Sequence, residues 1–279
     1  TPRDELGRLG YVEGKGIVTE VRNADGRSDR LPALVGDLLR LGVDVIVAVN
    51  TPAAKAAQNA TKAVPIVIMR VADPVKAGLV RSLAHPGANV TGVSFLPDVL
   101  GAKSIEALSQ VVPSLSRVAA FYKGDNPGAL LVVTETERRS AELGVRFERF
   151  PVRDPSDFPD AFTAAARAGA QAVFVMDDGA MTHMRGPFLK LSSQRSLPVA
   201  SIYKDFAEAG GLFAYGPDLD HVYRRAAYYV VRVLKGAKPS ELPVEQADRL
   251  HFVVNLKSAK ALGLTIPPAL LLRANQVIE

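Results

Sequence analysis

Three residues of this 279-residue chain stand in one recurring setting: Thr51, Asp73 and Asn126 each precede a proline. Each also follows an apolar run rich in β-branched residues: Val43-Asp44-Val45-Ile46-Val47-Ala48-Val49-Asn50, Ile66-Val67-Ile68-Met69, and Val118-Ala119-Ala120-Phe121-Tyr122. Thr, Asp and Asn can cap a helix, and proline suits the first helical position because its missing N–H had no partner there. The pattern predicts strand, tight turn, helix, with a helix N-terminus at the carboxyl end of each strand. That edge is where ligands bind in open α/β sheets, and the N-termini bring unpaired N–H groups and partial positive charge to it.

Other polar and aromatic residues fall on the same predicted edge. Asn50, Ser94 and Phe95 join Thr51 and Asp73 in the first half; Tyr122, Asp177, Tyr203 and Tyr215 join Asn126 in the second. Only 6% of the chain is aromatic, so four rings on one edge is a concentration. Helix N-termini favour a carboxylate, an acidic side chain an ammonium group, and rings a flat apolar body. Together these describe a small zwitterionic or anionic ligand with an aromatic or bulky side chain. Capping alone accounts equally well for Thr51, Asp73 and Asn126, and both readings stay open at this point.

Other chemistry lacks its motifs. There is no phosphate loop, no glycine-rich dinucleotide fingerprint, no G-x-S-x-G elbow and no H-E-x-x-H pair. His85, His183, His221 and His251 share no ligand spacing, and no nucleophile stands beside an orienting base. No cofactor, metal site or catalytic group is expected. The absence of cysteine excludes disulfides and thiolate chemistry and suits an oxidising compartment. The net charge of +5 is dispersed among acidic residues, which speaks against nucleic acid. No apolar stretch approaches the ~20 residues of a membrane span.

These residues need elements to hold them. Strands are expected at 16–21, 43–49, 64–69, 89–94, 117–122, 145–150, 172–176, 198–202, 211–215 and 251–255, with helices between most of them, one starting at Asp73, and a loop over 236–250. The alternation predicts α/β with parallel sheets. About ten strands fit two sheets of about five better than one open sheet; a (β/α)₈ barrel is the competing architecture. The first half opens on a helix tail, so its first strand is expected to be missing.

Read together, several segments resemble the tryptophan/tyrosine-type substrate-binding proteins of ABC transporters. They include Gly10-Tyr11-Val12-Glu13-Gly14, Thr51-Pro52-Ala53-Ala54, Ala72-Asp73-Pro74-Val75-Lys76-Ala77-Gly78-Leu79-Val80 and, most telling, Pro86-Gly87-Ala88-Asn89-Val90-Thr91-Gly92-Val93-Ser94. Tyr215-Gly216, Lys235-Gly236-Ala237-Lys238-Pro239 and Asn255-Leu256-Lys257-Ser258-Ala259-Lys260-Ala261-Leu262-Gly263-Leu264 continue the match in order. The resemblance implies a type I periplasmic-binding fold: two doubly wound Rossmann-like domains, 1–95 plus 218–250 and 96–217 plus 251–279. A multi-segment hinge would cross near Leu96, Pro217 and 249–252. It further implies a monomeric receptor that captures a small organic solute, leaning to an aromatic amino acid or related carboxylate, and delivers it to a permease. Export to the periplasm or another extracytoplasmic space follows, by a leader not seen in this sequence. The alternative is a ligand-sensing domain of a regulatory system.

Overall fold

The structure is a computed structural model that describes residues 1–95, 97–176 and 179–279. The chain forms two compact units, Thr1–Leu96 with Asp218–Arg249, and Pro97–Pro217 with Leu250–Glu279, so it passes between them three times.

In chain order the first unit begins with α1 (Pro2–Arg8), β1 (Val12–Glu13), β2 (Gly16–Ile17), α2 (Leu31–Arg40), β3 (Ile46–Val49), α3 (Thr51–Ala60), β4 (Ile66–Ala72) and β5 (Val90–Phe95). The second unit supplies α4 (Pro97–Val111), β6 (Arg117–Lys123), α5 (Pro127–Glu142), β7 (Arg146–Val152), α6 (Phe158–Arg167), β8 (Ala172–Met176), α7 (Gly179–Gln194), β9 (Val199–Ser201), α8 (Lys204–Glu208) and β10 (Phe213–Pro217). The chain returns to the first unit for α9 (Leu219–Leu234) and β11 (Glu245–Gln246). It ends in the second with β12 (Leu250–Asn255), α10 (Leu256–Ala261), α11 (Pro268–Leu271) and β13 (Gln276–Ile278).

The first unit's sheet runs β11-β5-β4-β3, all parallel. Its strands are apolar on both faces because both are covered. Ile66, Ile68 and Val71 pack with α2 and α3 residues such as Val35, Ala54 and Ala57. Val67 and Met69 pack on the other face against Val222, Ala226, Tyr229, Val230 and Val233 of α9. Those α9 positions recur at three- and four-residue intervals, the spacing that gives a helix one apolar stripe.

The second unit's sheet runs β13-β12-β10-β9-β8-β6-β7. From β10 to β7 it is parallel; β12 turns antiparallel against β10, and β13 runs alongside β12. Its core is aromatic: Phe121, Phe158, Phe162, Phe188 and Phe206 are buried together with Val173 and Val175. The chain leaves β6 to one side for β7 and to the other for β8, which makes the β6–β8 boundary a topological switch point.

The α/β class and the parallel strands are as the alternation predicts, and several details differ. The sheets have four and seven strands rather than about five each, because the C-terminal segment adds β12 and β13 to one sheet and β11 is only two residues long. The strand expected over 16–21 shrinks to Gly16–Ile17, paired with β1 in a separate ribbon. Val18 and Val21 stand exposed at 75% and 68%, so neither is held in a sheet. The helix expected from Asp73 is a turn over Pro74–Gly78, closed by Gly78 at φ +67. The loop expected over 236–250 holds a 3₁₀ turn (Pro239–Glu241) and β11.

Candidate functional site

Every parallel strand of a unit ends at the same edge of its sheet, so the residues following those strands collect there. In the first unit the ends of β3 and β4 carry Asn50, Thr51 and Asp73. Asn50, not Thr51, caps α3: its side chain accepts from the Ala53 N–H at 3.2 Å, and Thr51 is the first helical residue, buried at 2% exposure. Its own N–H donates to the Met69 carbonyl at 3.0 Å, which holds the α3 N-terminus beside the end of β4. The Asp73 carboxylate accepts from the Lys76 N–H at 3.0 Å and lies 3.6 Å from its Nζ, so it caps a turn rather than a helix.

Ser94 and Phe95 close β5, and both are buried. The Ser94 hydroxyl donates to the Glu245 carbonyl at 3.2 Å and ties β5 to β11. That bond gives it a structural duty that the sequence pattern does not display.

The end of β4 holds a feature that periodicity does not reveal. Ile68 pairs with Gly92, but the next pair is Val71 with Ser94, so two residues of β4 face one of β5. This is a β-bulge, uncommon between parallel strands. Arg70 is the extra residue, with φ +56. Of six non-glycine residues with positive φ among those described, Asn50 (+72), Arg70 and Asp73 (+36) lie at this one edge. Left-handed backbone costs a non-glycine residue about 1–3 kcal/mol, and such strain gathers where function holds it in place.

In the second unit Tyr122 is the penultimate residue of β6, buried at 6% exposure and in register with Pro151 of β7 and Met176 of β8. Asn126 caps α5, its side chain accepting from the Gly128 and Ala129 N–H groups at 2.9 and 3.3 Å. Tyr203 follows β9 and is buried; its carbonyl accepts from the Ser201 hydroxyl at 2.8 Å. Tyr215 lies in β10, its ring 5.7 Å from that of Phe252. The second unit thus brings Tyr122, Asn126, Tyr203 and Tyr215 to its carboxyl edge. Asp177 lies outside the described residues.

Sequence reasoning missed two charged groups at these edges. Arg70 interrupts an apolar run, which was the available signal. Lys123 is the other, buried at 5% exposure at the end of β6 with its Nζ 3.2 Å from Asp125. Among the described residues no group of three or more His, Asp or Glu side chains could hold a metal. His221 lies 3.4 Å from Asp248, two residues past the end of β11.

Two α/β units, with polar caps along the carboxyl edge of each set of parallel strands and aromatic rings gathered chiefly on the second, have the type I periplasmic-binding fold of solute-binding proteins. The chain belongs to the ABC transporter substrate binding protein family, whose sequence profile matches residues 3–278. It is similar to the tyrosine-binding protein of Clostridioides difficile (strain R20291), 25% identical over 256 residues covering 91% of this chain and 73% of the relative. It also resembles a crystal structure of the ABC domain in complex with L-Trp from Streptococcus pneumonia, with TM-score 0.92 and 28% identity over 99% of this chain and 92% of that one. A solute-binding protein from R. palustris in complex with 4-hydroxybenzoate shares the fold, with TM-score 0.59 and 16% identity over 87% of this chain and 70% of that one. The family is one of solute-binding proteins rather than enzymes.

Proposed function

We propose that this protein is the extracytoplasmic receptor of an ABC importer and captures a small aromatic solute, an amino acid or related carboxylate, without chemical change. The observation that carries the reading is the likeness, over nearly the whole chain, to a domain solved with L-Trp. The edge chemistry agrees: helix N-termini for a carboxylate, Asp73 for an ammonium group, and Tyr122, Tyr203 and Tyr215 for a ring. Asn50, Thr51, Asp73, Ser94 and Phe95 would serve from one unit and Tyr122, Asn126, Asp177, Tyr203 and Tyr215 from the other. The two units close on the solute by rotation about the three crossings, and a single copy of the closed form docks on a permease. No described helix is long and apolar enough to cross a membrane.

Thermal unfolding against a panel of L-tyrosine, L-tryptophan, 4-hydroxybenzoate and non-aromatic amino acids tests this. A solute that binds only the folded form adds about 2.7 kcal/mol at about 100 times its Kd, a shift of several degrees. A shift confined to the aromatic members is expected. Stabilisation by aliphatic amino acids alone would overturn the aromatic preference, and none across the panel would overturn the receptor reading for this class.

A further inference from the structure

The outer side of α9 carries charge of one sign. From 221 to 240 the chain has Arg224, Arg225, Arg232, Lys235 and Lys238 and no acidic residue. The apolar stripe of α9 is buried against Val67, Met69 and Val93 of β4 and β5. On the side turned away from the sheet, Arg224, Tyr228, Arg232 and Lys235 follow at intervals of four, four and three residues, so they form one row along the helix. All four are exposed.

Exposed arginines on other helices have carboxylate partners. On α5 Arg138 and Arg139 both pair with Glu142, and on α2 Arg40 pairs with Asp37. Near the row, Arg225 is matched by Glu245 and Lys238 by Glu241. Arg224, Arg232 and Lys235 form no ion pair among the described residues. The helix dipole favours cations at a C-terminus and accounts for Arg232 and Lys235. It does not account for Arg224, which lies in the first half of α9, or for the ring between the cations.

Tyr228 is held in place yet left open. The Arg225 and Arg232 guanidiniums lie 4.4 and 5.7 Å from its ring centroid. Arg232 Nη1 donates to its hydroxyl at 2.8 Å, and the Tyr229 ring meets it edge-on at 5.9 Å. It is nevertheless 37% exposed. A side chain fixed in this way loses little freedom on binding, and Tyr and Arg are prominent among the residues that dominate interface energetics.

We propose that this row is a docking surface for an acidic segment of a partner protein, with Tyr228 as its anchor and Arg224, Arg232 and Lys235 facing the partner's carboxylates. Charge complementarity selects such a partner. The row is about 16 Å long at 1.5 Å per residue, three turns of an acidic helix. A bilayer suits it less. The apolar stripe of α9 stays in the core, and three unmatched cations are fewer than the about four to eight that mark an anionic-lipid site.

Fluorescence anisotropy on the intact protein tests this with a labelled helical peptide, about three turns long and bearing glutamates along one face, and its glutamine counterpart. Wild type should bind the glutamate peptide at low salt about tenfold or more tighter than the glutamine one, and added salt should weaken it. The double variant Arg224→Gln, Arg232→Gln should lose about tenfold, and Tyr228→Ala about fivefold with no change of charge. Lys257→Gln, Lys260→Gln removes the same charge from two exposed residues of α10 and should change affinity less than about twofold. All these variants should melt within about 2 °C of wild type, as surface substitutions do. Arg224→Gln alone takes no part in the stacking and keeps the test sound if Tyr228→Ala melts lower.

Equal weakening by the two double variants would leave only general positive charge and overturn the proposal. So would an unchanged affinity in Arg224→Gln, or no binding of the glutamate peptide by wild type. Binding to vesicles of phosphatidylglycerol without binding to the peptide would put a membrane on the row. Self-association that the Arg224, Arg232 variant abolishes would put a second copy there. Either result overturns the acidic protein partner.

Discussion

Gly92 and Asp73 show how much single residues at the β4–β5 edge are asked to do. Gly92→Ala meets both a forbidden backbone angle and a Cβ contact of 2.3 Å with the Ile68 carbonyl, so something must shift. We expect a loss of about 3 kcal/mol or more, read by chemical denaturation; a loss under about 1 kcal/mol would mean the bulge is easily rearranged. Asp73 separates capping from binding. Asp73→Asn keeps a capping oxygen and a residue tolerant of positive φ, so stability should hold within about 0.5 kcal/mol, whereas Asp73→Ala should cost about 1 kcal/mol. If the carboxylate faces the solute's ammonium group, Asp73→Asn weakens L-tyrosine or L-tryptophan binding more than about tenfold and leaves 4-hydroxybenzoate unaffected. Equal affinity for the amino acids removes that role. At this scale the sequence was legible where a side chain announces a backbone need, as Asn126 before Pro127 does; before Pro52 the cap sits one residue earlier, on Asn50, and Asp73 before Pro74 caps a turn rather than a helix. It showed Arg70 as a break in an apolar run but not the bulge there, because a bulge is a relation between two strands and leaves no period in either.

Elements were legible when they were long and carried one period throughout. The spacing of α9 and the apolar runs of β6 and β8 belong to this kind. A two-residue strand such as β11 carries no period; tertiary contacts make it. Thr91 donates to the Leu242 carbonyl at 2.8 Å, and the Val244 N–H donates to the Leu83 carbonyl at 2.7 Å. Arg225 grips Glu245 through two hydrogen bonds, and the Tyr229 hydroxyl donates to the Pro243 carbonyl at 2.5 Å. The strand expected over 16–21 is the converse, a β-branched stretch of which only Gly16–Ile17 finds a partner strand. The β11 clamp has a pH signature. Burial first, then the Glu245 carboxylate, pushes the Tyr229 phenol well above its ordinary value of 10.0. The unfolded chain therefore ionises first, and the phenol's contribution is complete below pH 10.0 and declines as pH rises toward the raised folded value. Tyr229→Phe should cost about 1 kcal/mol at neutral pH and flatten the fall of denaturation midpoint between about pH 10 and pH 11. A wild type and variant that fall in parallel would exclude Tyr229 as the source.

At the scale of the molecule, each of the two units has its own core, and the chain crosses between them three times. Each unit holds enough apolar side chains to melt on its own account, and three crossings restrain geometry without making the cores one. On the proposed reading, a solute that touches both carboxyl edges would bind neither unit once the other has unfolded, so its binding energy would couple the units as well as stabilise each. Scanning calorimetry without solute should give a broad or double transition, with the van't Hoff enthalpy below the calorimetric one. At about 100 times the Kd the transition should shift upward and the two enthalpies should converge. If only one of two transitions moves, the solute is held by one unit, and moving the first unit's transition alone would point to the edge built by Asn50 and Asp73. If both move together, Tyr122, Asn126, Tyr203 and Tyr215 complete the same site. Under the receptor reading proposed above, such coupling would let a permease tell loaded receptor from empty, because a closed arrangement would be populated only when the solute's contacts offset the entropy of holding two units together.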